Sequence, residues 1–136
     1  MVVIIKQESG KLEMYEVTII KSFSAAHLLA QIGGKCEDLH GHNFKVEVTL
    51  AAPNLNKSGL LIDFRVVKKW LNEILDQMDH KHLNEIPFFA GINPSAENIA
   101  KYIYREIKLK ADQAEVKVAR VKVWESENAA VSYIGD

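Results

Sequence analysis

Between Asn43 and Ala51 the sequence reads NFKVEVTLA, with Phe44, Val46, Val48 and Leu50 alternating against Lys45, Glu47 and Thr49. Period-two alternation of this kind marks a strand with one face on a core and one toward solvent, the habit of an antiparallel sheet. The run MYEVTIIKSF (14–23) is rich in β-branched and aromatic residues with partial alternation, and predicts a preceding strand. Near the other end Val116, Val118, Val121 and Val123 nearly alternate, and residues 129–134 predict a short final strand. Gly33-Gly34 with the charged KCED stretch, and Pro53-Asn54 with Ser58-Gly59, mark the intervening loops.

Two helices are expected between the strand pairs. Asp63 can cap the first, which runs to about Met78 with Val67, Leu71, Ile74, Leu75 and Met78 on one face. The second opens at Asn93-Pro94-Ser95 with the early acidic Glu97, and carries the stripe Ala96, Ile99, Ala100, Ile103 and Ile107. The order β-β-α-α-β-β implies an α+β fold, a four-stranded antiparallel sheet with both helices on one face. Residues 1–13 read as an N-terminal extension to a single domain over 14–136, since 136 residues suit one domain and not two.

Composition narrows the function classes. With 48% hydrophobic and 26% charged residues, a disordered chain is excluded. Seventeen basic against eighteen acidic residues give a net charge of -1, so nothing electrostatic points to nucleic acid or a membrane surface. No apolar run approaches the ~20 residues of a membrane span, and Met1–Ile5 is too short for a signal-peptide core. The lone Cys36 allows no intramolecular disulfide, and a cytoplasmic protein is the simplest expectation.

All five histidines lie between His27 and His82. His40 and His42 are two apart at the mouth of the second strand, so both imidazoles point to one face. His27 follows the first strand and joins them if the two strands pair. Three histidines are the ligand set of a catalytic zinc with an open fourth position, although H-x-H pairs also occur by chance on surfaces. Cys36 lies four residues before His40 among charged neighbours; there it is either a thiolate of lowered pKa or a fourth, closing zinc ligand. Asp79-His80 after the first helix suits a carboxylate-oriented imidazole in a proton relay. A histidine favoured by the helix C-terminus would look the same, and would also account for His82. Glu125, in the WES segment, is either a solvated strand-end residue or a carboxylate gripping a guanidine-like ring edge through paired hydrogen bonds.

Six motifs then occur in a familiar order: FSAAH (23–27), C-x3-HGHNF (36–44), GLLIDF (59–64), MDHKHLN (78–84), NPSAEN (93–98) and WES (124–126). Together they resemble the 6-pyruvoyltetrahydropterin synthase / 6-carboxytetrahydropterin synthase family over residues 14–134. The resemblance implies the tunnelling fold, in which sheets of several subunits join edge to edge, and a homohexamer built as a dimer of trimers with shared sites. It implies zinc on His27, His40 and His42, Cys36 as catalytic base, Asp79 and His80 as its relay from a neighbouring subunit, and Glu125 as the anchor of the pterin 2-amino and N3 edge. Leu28 stands where many members carry arginine, residues 1–12 have no clear counterpart, and no role carries over to His82 or Glu97.

The implied substrate is 7,8-dihydroneopterin triphosphate. The implied reaction forms 6-carboxy-5,6,7,8-tetrahydropterin with release of acetaldehyde and triphosphate, on the path to deazapurine nucleosides such as queuosine. The alternatives are a 6-pyruvoyltetrahydropterin synthase acting on the same substrate and a non-catalytic zinc-binding assembly protein. Carboxy-forming members resemble the three-residue spacer Glu37-Asp38-Leu39 seen here between cysteine and HGH, whereas pyruvoyl-forming members typically have a longer one.

Overall fold

The structure, a computed structural model, describes residues 13–135. The extension expected over 1–13 therefore lies outside the described residues, Glu13 excepted. Five strands and two α-helices are described: β1 (Tyr15–His27), β2 (His40–Ala52), α1 (Phe64–Leu75), β3 (Lys81–His82), α2 (Ala96–Gln113), β4 (Lys117–Ser126) and β5 (Ala129–Tyr133). They form one sheet in the order β3-β1-β2-β4-β5. Short 3-10 turns cover Gly34–Glu37, Leu83–Glu85 and Pro87–Phe89.

The α+β class stands, with three corrections of detail. The sheet has five strands among the described residues, because Lys81–His82 pairs in parallel with Ala25–Ala26. Two residues are too few for any periodicity, so this strand leaves no sequence signal. Next, β1 runs on from Phe23 through SAAH to His27, and β2 begins at His40 rather than Asn43. Ser and Ala have weak strand preference, and it is the continuous antiparallel ladder from Tyr15↔Ala52 to His27↔His40 that carries them. Finally, α1 stops at Leu75 instead of about Met78. Its last amides tighten into turns, with Gln77 N–H on the Ile74 carbonyl and Met78 N–H on the Leu75 carbonyl, and Met78 stays fully buried.

Both helix starts follow the expected caps. The Asp63 carboxylate accepts the Arg65 N–H and the Ser95 hydroxyl accepts the Asn98 N–H. The Arg65 side chain also grips Asp63, and these bonds hold its carboxyl down at about 2. Both helices cover the same face of the sheet. Val67, Leu71 and Ile74 of α1 and Ile99, Ile103 and Ile107 of α2 meet Phe23, Phe44, Val46, Val48, Val121 and Val123 in one core cluster. The opposite face is polar. There the Lys45 and Lys122 ammonium groups lie 4.5 and 4.6 Å from the Trp124 ring centroid, and Trp124 Nε1 donates to Glu47.

Strand parity connects this core to the histidines. His27 is on the same face as Phe23, His40 and His42 on that of Phe44, and Glu125 on that of Val123. The core-facing rows of three strands thus turn from apolar side chains to imidazoles and a carboxylate at one end of the sheet. Removing core volume should show in stability. Ile103→Ala, at a fully buried site of α2, is expected to cost about 2–5 kcal/mol in urea unfolding, from lost burial plus a cavity.

Candidate active site

His27 and His40 are direct cross-strand partners, and His42 pairs with Ala25 one step further along. Their ring centroids form a triangle with sides of 4.6, 4.8 and 5.2 Å, the planes turned 65–89° from one another. Glu125 arrives from β4 at an irregularity in its pairing with β5, where the register shifts between Trp124 and Ser126. A bulge of this kind re-aims a side chain. One ligand atom from each of His27, His40, His42 and Glu125 lies within 4.8 Å of the others.

The donor set fits a metal ion. His27 Nδ1 faces the Pro94 carbonyl at 2.8 Å and His40 Nδ1 faces the Asp38 carbonyl at 2.7 Å. Such contacts place the ring proton on Nδ1 and leave the Nε2 lone pair for a cation, the usual outer-shell arrangement. Nε2 of His27 and of His42 is buried without a hydrogen-bond partner. Glu125 Oε1 stands 3.3 and 3.0 Å from these two nitrogens, an ion-pair distance without hydrogen-bond geometry. Ligand atoms around a tetrahedral ion bound at 2.0–2.1 Å stand roughly 3.4 Å apart, so these separations suit a shared cation. Burial pushes the His42 pKa below its ordinary 6.5, with Glu125 opposing and the neighbouring histidines adding to the shift. The ring is held in the neutral form that ligates metal.

A cleft of about 470 Å³ opens over this cluster, lined by Lys35, Cys36, His40, Gly41, His42, Glu125 and Ser126. Cys36 is exposed and is not among the four converging ligand side chains. Its 3-10 turn opens at Gly34 just after Gly33, and their φ of 72° and 86° suit glycine. The Leu29 N–H donates to the Cys36 carbonyl at 2.8 Å.

Asp79 and His80 lie on the edge of the sheet. The Ser24 N–H donates to Asp79 Oδ1 at 2.9 Å and the His80 N–H to the Ser24 carbonyl at 2.6 Å. His80, in the left-handed region at φ 59°, turns its Nδ1 to 3.0 Å from Asp79 Oδ2 and leaves most of its ring exposed. The Ser24 amide, helped by His80, holds the Asp79 carboxyl below its ordinary range. His80 lines a second cleft of about 410 Å³ with Ser24, Ala26, Lys81 and His82; Gly41 and His42 belong to both clefts. No hydrogen bond joins His80 to Cys36 within the chain, among the described residues.

The structure therefore gathers His27, His40, His42 and Glu125, sets Cys36 beside them, and places the Asp79–His80 pair at the adjoining cleft. His82 pairs loosely with Glu85 at 3.5 Å and has a buried, unpartnered Nε2. Glu97 lies in the first turn of α2. Sequence reasoning missed the meeting of Glu125 with the histidines, which depends on β4 lying beside β2. It also missed Lys35 and Ser126, although both flank residues it had singled out.

The sequence model of the 6-pyruvoyl tetrahydropterin synthase family matches residues 16–136. The chain is 36% identical over 128 residues to a 6-carboxy-5,6,7,8-tetrahydropterin synthase of Rickettsia typhi, covering 80% of this chain and 92% of that one. It is 34% identical over 129 residues to the 6-pyruvoyl tetrahydrobiopterin synthase of Homo sapiens, covering 85% and 88%. The 6-pyruvoyl tetrahydropterin synthase of Caenorhabditis elegans superposes with a TM-score of 0.81 at 27% identity, over 90% of this chain and 96% of that one.

Metal content of purified variants tests the ligand set. His40→Ala is expected to lose the bound metal, whereas Cys36→Ala and Glu125→Gln keep one ion per chain. Retention is expected to persist at pH 6.5 and to fail only well below it, since burial keeps the His42 pKa under its ordinary 6.5 and a protonated imidazole cannot ligate. Atomic absorption after dialysis reads all three, and a metal-free Cys36→Ala protein would make the cysteine a ligand.

Proposed function

Since the chain belongs to the 6-pyruvoyl tetrahydropterin synthase family, we propose that it is a zinc-dependent lyase. It converts 7,8-dihydroneopterin triphosphate to 6-carboxy-5,6,7,8-tetrahydropterin, releasing acetaldehyde and triphosphate. The observation that carries this reading is a cleft lined by the Cys36 thiol, the Glu125 carboxylate, His40 and His42, over a cluster in which Nε2 of His27 and of His42 is buried without a partner. Zinc binding alone would need neither Cys36 nor the Asp79–His80 pair, which speaks against a purely structural metal protein.

Zinc on His27, His40 and His42 would supply Lewis acidity toward the side-chain hydroxyls of the substrate. The chain's own groups do the rest. The Cys36 thiolate takes a proton from the substrate side chain. Asp79 fixes the His80 ring through Nδ1, so Nε2 is free to exchange that proton. Glu125 offers two carboxylate oxygens to the 2-amino and N3 donors of the pterin, a paired charge-assisted contact that an amide cannot match. To do so Oε1 turns away from the His27 and His42 nitrogens it faces here, a movement open to a side chain about a third exposed to the cleft. Water is consumed, the first side-chain carbon is oxidised to the carboxylate and the pterin ring is reduced, so no external oxidant is required.

The spacer supports the carboxy-forming product. Asp38 within it accepts from His40 Nδ1 while Cys36 at its head is held by Leu29. The spacer is thus tied at both ends, and its length decides which side-chain carbon the thiolate reaches, within a proton-transfer distance of roughly 2.6–3.2 Å. The pyruvoyl-forming reading is the second one, because relatives of both names match at similar identity. Incubating the zinc-loaded protein with dihydroneopterin triphosphate and a carbonyl trap is expected to yield acetaldehyde and the 6-carboxy product by mass. A 6-pyruvoyl product without acetaldehyde would transfer the assignment.

His80 and Cys36 line different clefts, which supports a homohexamer in which one subunit's pair serves another's cysteine. The sheet ends also favour assembly, since β3 covers only two residues of β1 and leaves the rest of that edge open. Cys36→Ala and His80→Ala subunits, each inactive alone, are expected on co-expression to regain activity in about a quarter of sites by random assembly. An active monomer in light scattering would refute shared sites.

A further inference from the structure

Two asparagine side chains grip the chain just past the first histidine. Asn84 Oδ1 accepts the Leu28 N–H and its Nδ2 donates to the Leu28 carbonyl, both at 3.0 Å. Asn93 repeats this on Ala30, accepting its N–H at 2.8 Å and donating to its carbonyl at 3.0 Å. Each primary amide reproduces the donor–acceptor pair that a neighbouring strand would offer. Residues 28 and 30 are therefore held as though still in the sheet, after β1 has ended at His27.

Between the two gripped residues, the Leu29 N–H donates to the Cys36 carbonyl, and one residue further on the Gln31 N–H donates to the Glu37 carboxylate at 3.2 Å. The 3-10 turn that carries Cys36 has no buried residue of its own. No apolar anchor fixes it, so its place is set by these hydrogen bonds. Asn93 is itself held, its carbonyl accepting from Asn98 Nδ2 at 2.7 Å in the first turn of α2. The next carbonyl, that of Pro94, faces His27 Nδ1. One short segment before α2 thus sets both a candidate metal ligand and, through Ala30 and Leu29, the cysteine turn.

We propose that Asn84 and Asn93 are positioning residues for Cys36: by clamping Leu28 and Ala30 they hold Leu29 where it can fix the cysteine turn against the histidine cluster. The proposal rests on the reading of Cys36 as the catalytic base. Asn84→Ala, Asn93→Ala and Asn93→Asp are compared with the wild type in the zinc-loaded protein. The readouts are amide hydrogen exchange, zinc content, Cys36 alkylation by iodoacetamide, and turnover of dihydroneopterin triphosphate. In both alanine variants the Leu29 amide is expected to lose protection about tenfold or more, while β2 and α2 amides and zinc content stay as in the wild type. In the same variants kcat falls about 10- to 100-fold with KM changed less than about threefold, because the base is misplaced and substrate binding is not. Asn93→Asp keeps the acceptor for Ala30 N–H and loses the donor to its carbonyl, so it falls between. Wild-type Leu29 protection or wild-type kcat in the alanine variants would overturn the proposal, as would loss of zinc in step with kcat. If the wild type does not turn over this substrate, the function reading fails separately. Leu29 exchange and the Cys36 alkylation rate then still decide the clamp, since unchanged values of both overturn it.

Discussion

The pairing register of β1 with β2 is the constraint on which the rest depends. The same ladder that sets Phe23 beside Phe44, their rings stacked 5.0 Å apart, sets His27 beside His40. Sliding one strand by a residue would turn Phe44, Val46 and Val48 to the polar face and carry the histidines with them. The register is therefore held by apolar burial along the strands, and the candidate metal site at their end takes its geometry from it without needing a loop to build it.

The other groups of the site are held by polar contacts, each at a place where regular structure stops. Backbone carbonyls of Asp38 and Pro94 orient two of the imidazoles. Asparagine amides hold the turn leading to Cys36, and the Ser24 backbone holds the Asp79–His80 pair. Glu125 comes from a bulged strand end. The division has a chemical logic: the groups that suit a metal sit on the stiff sheet, and the groups that suit proton transfer sit at its rim. The electrostatics agree, since burial keeps His42 neutral and the Ser24 amide keeps Asp79 ionised.

The strands and helices were legible because their periodicities follow from burial on one face. NFKVEVTLA, the valines of β4 and the stripe from Ala96 to Ile107 all lie where the pattern puts them. The caps at Asp63 and Ser95 were legible for a different reason, since a side-chain oxygen before an apolar run can satisfy a free helix amide locally. Less was visible where long-range pairing overrides local preference. SAAH continues β1 only because β2 lies opposite, and Lys81–His82 is a strand only because Ala25–Ala26 offers an edge.

The candidate site divides in the same way. The residue types and the H-x-H spacing were set by the sequence alone, because side-chain alternation is a local property of an extended chain. That Glu125 meets His27 and His42, that His80 and Cys36 line different clefts, and that Asn84 and Asn93 reach across to Leu28 and Ala30 were decided only by the tertiary structure. Those contacts join residues tens of positions apart. Their distances depend on the strand order β3-β1-β2-β4-β5, which follows from packing the whole core and is encoded in no single segment.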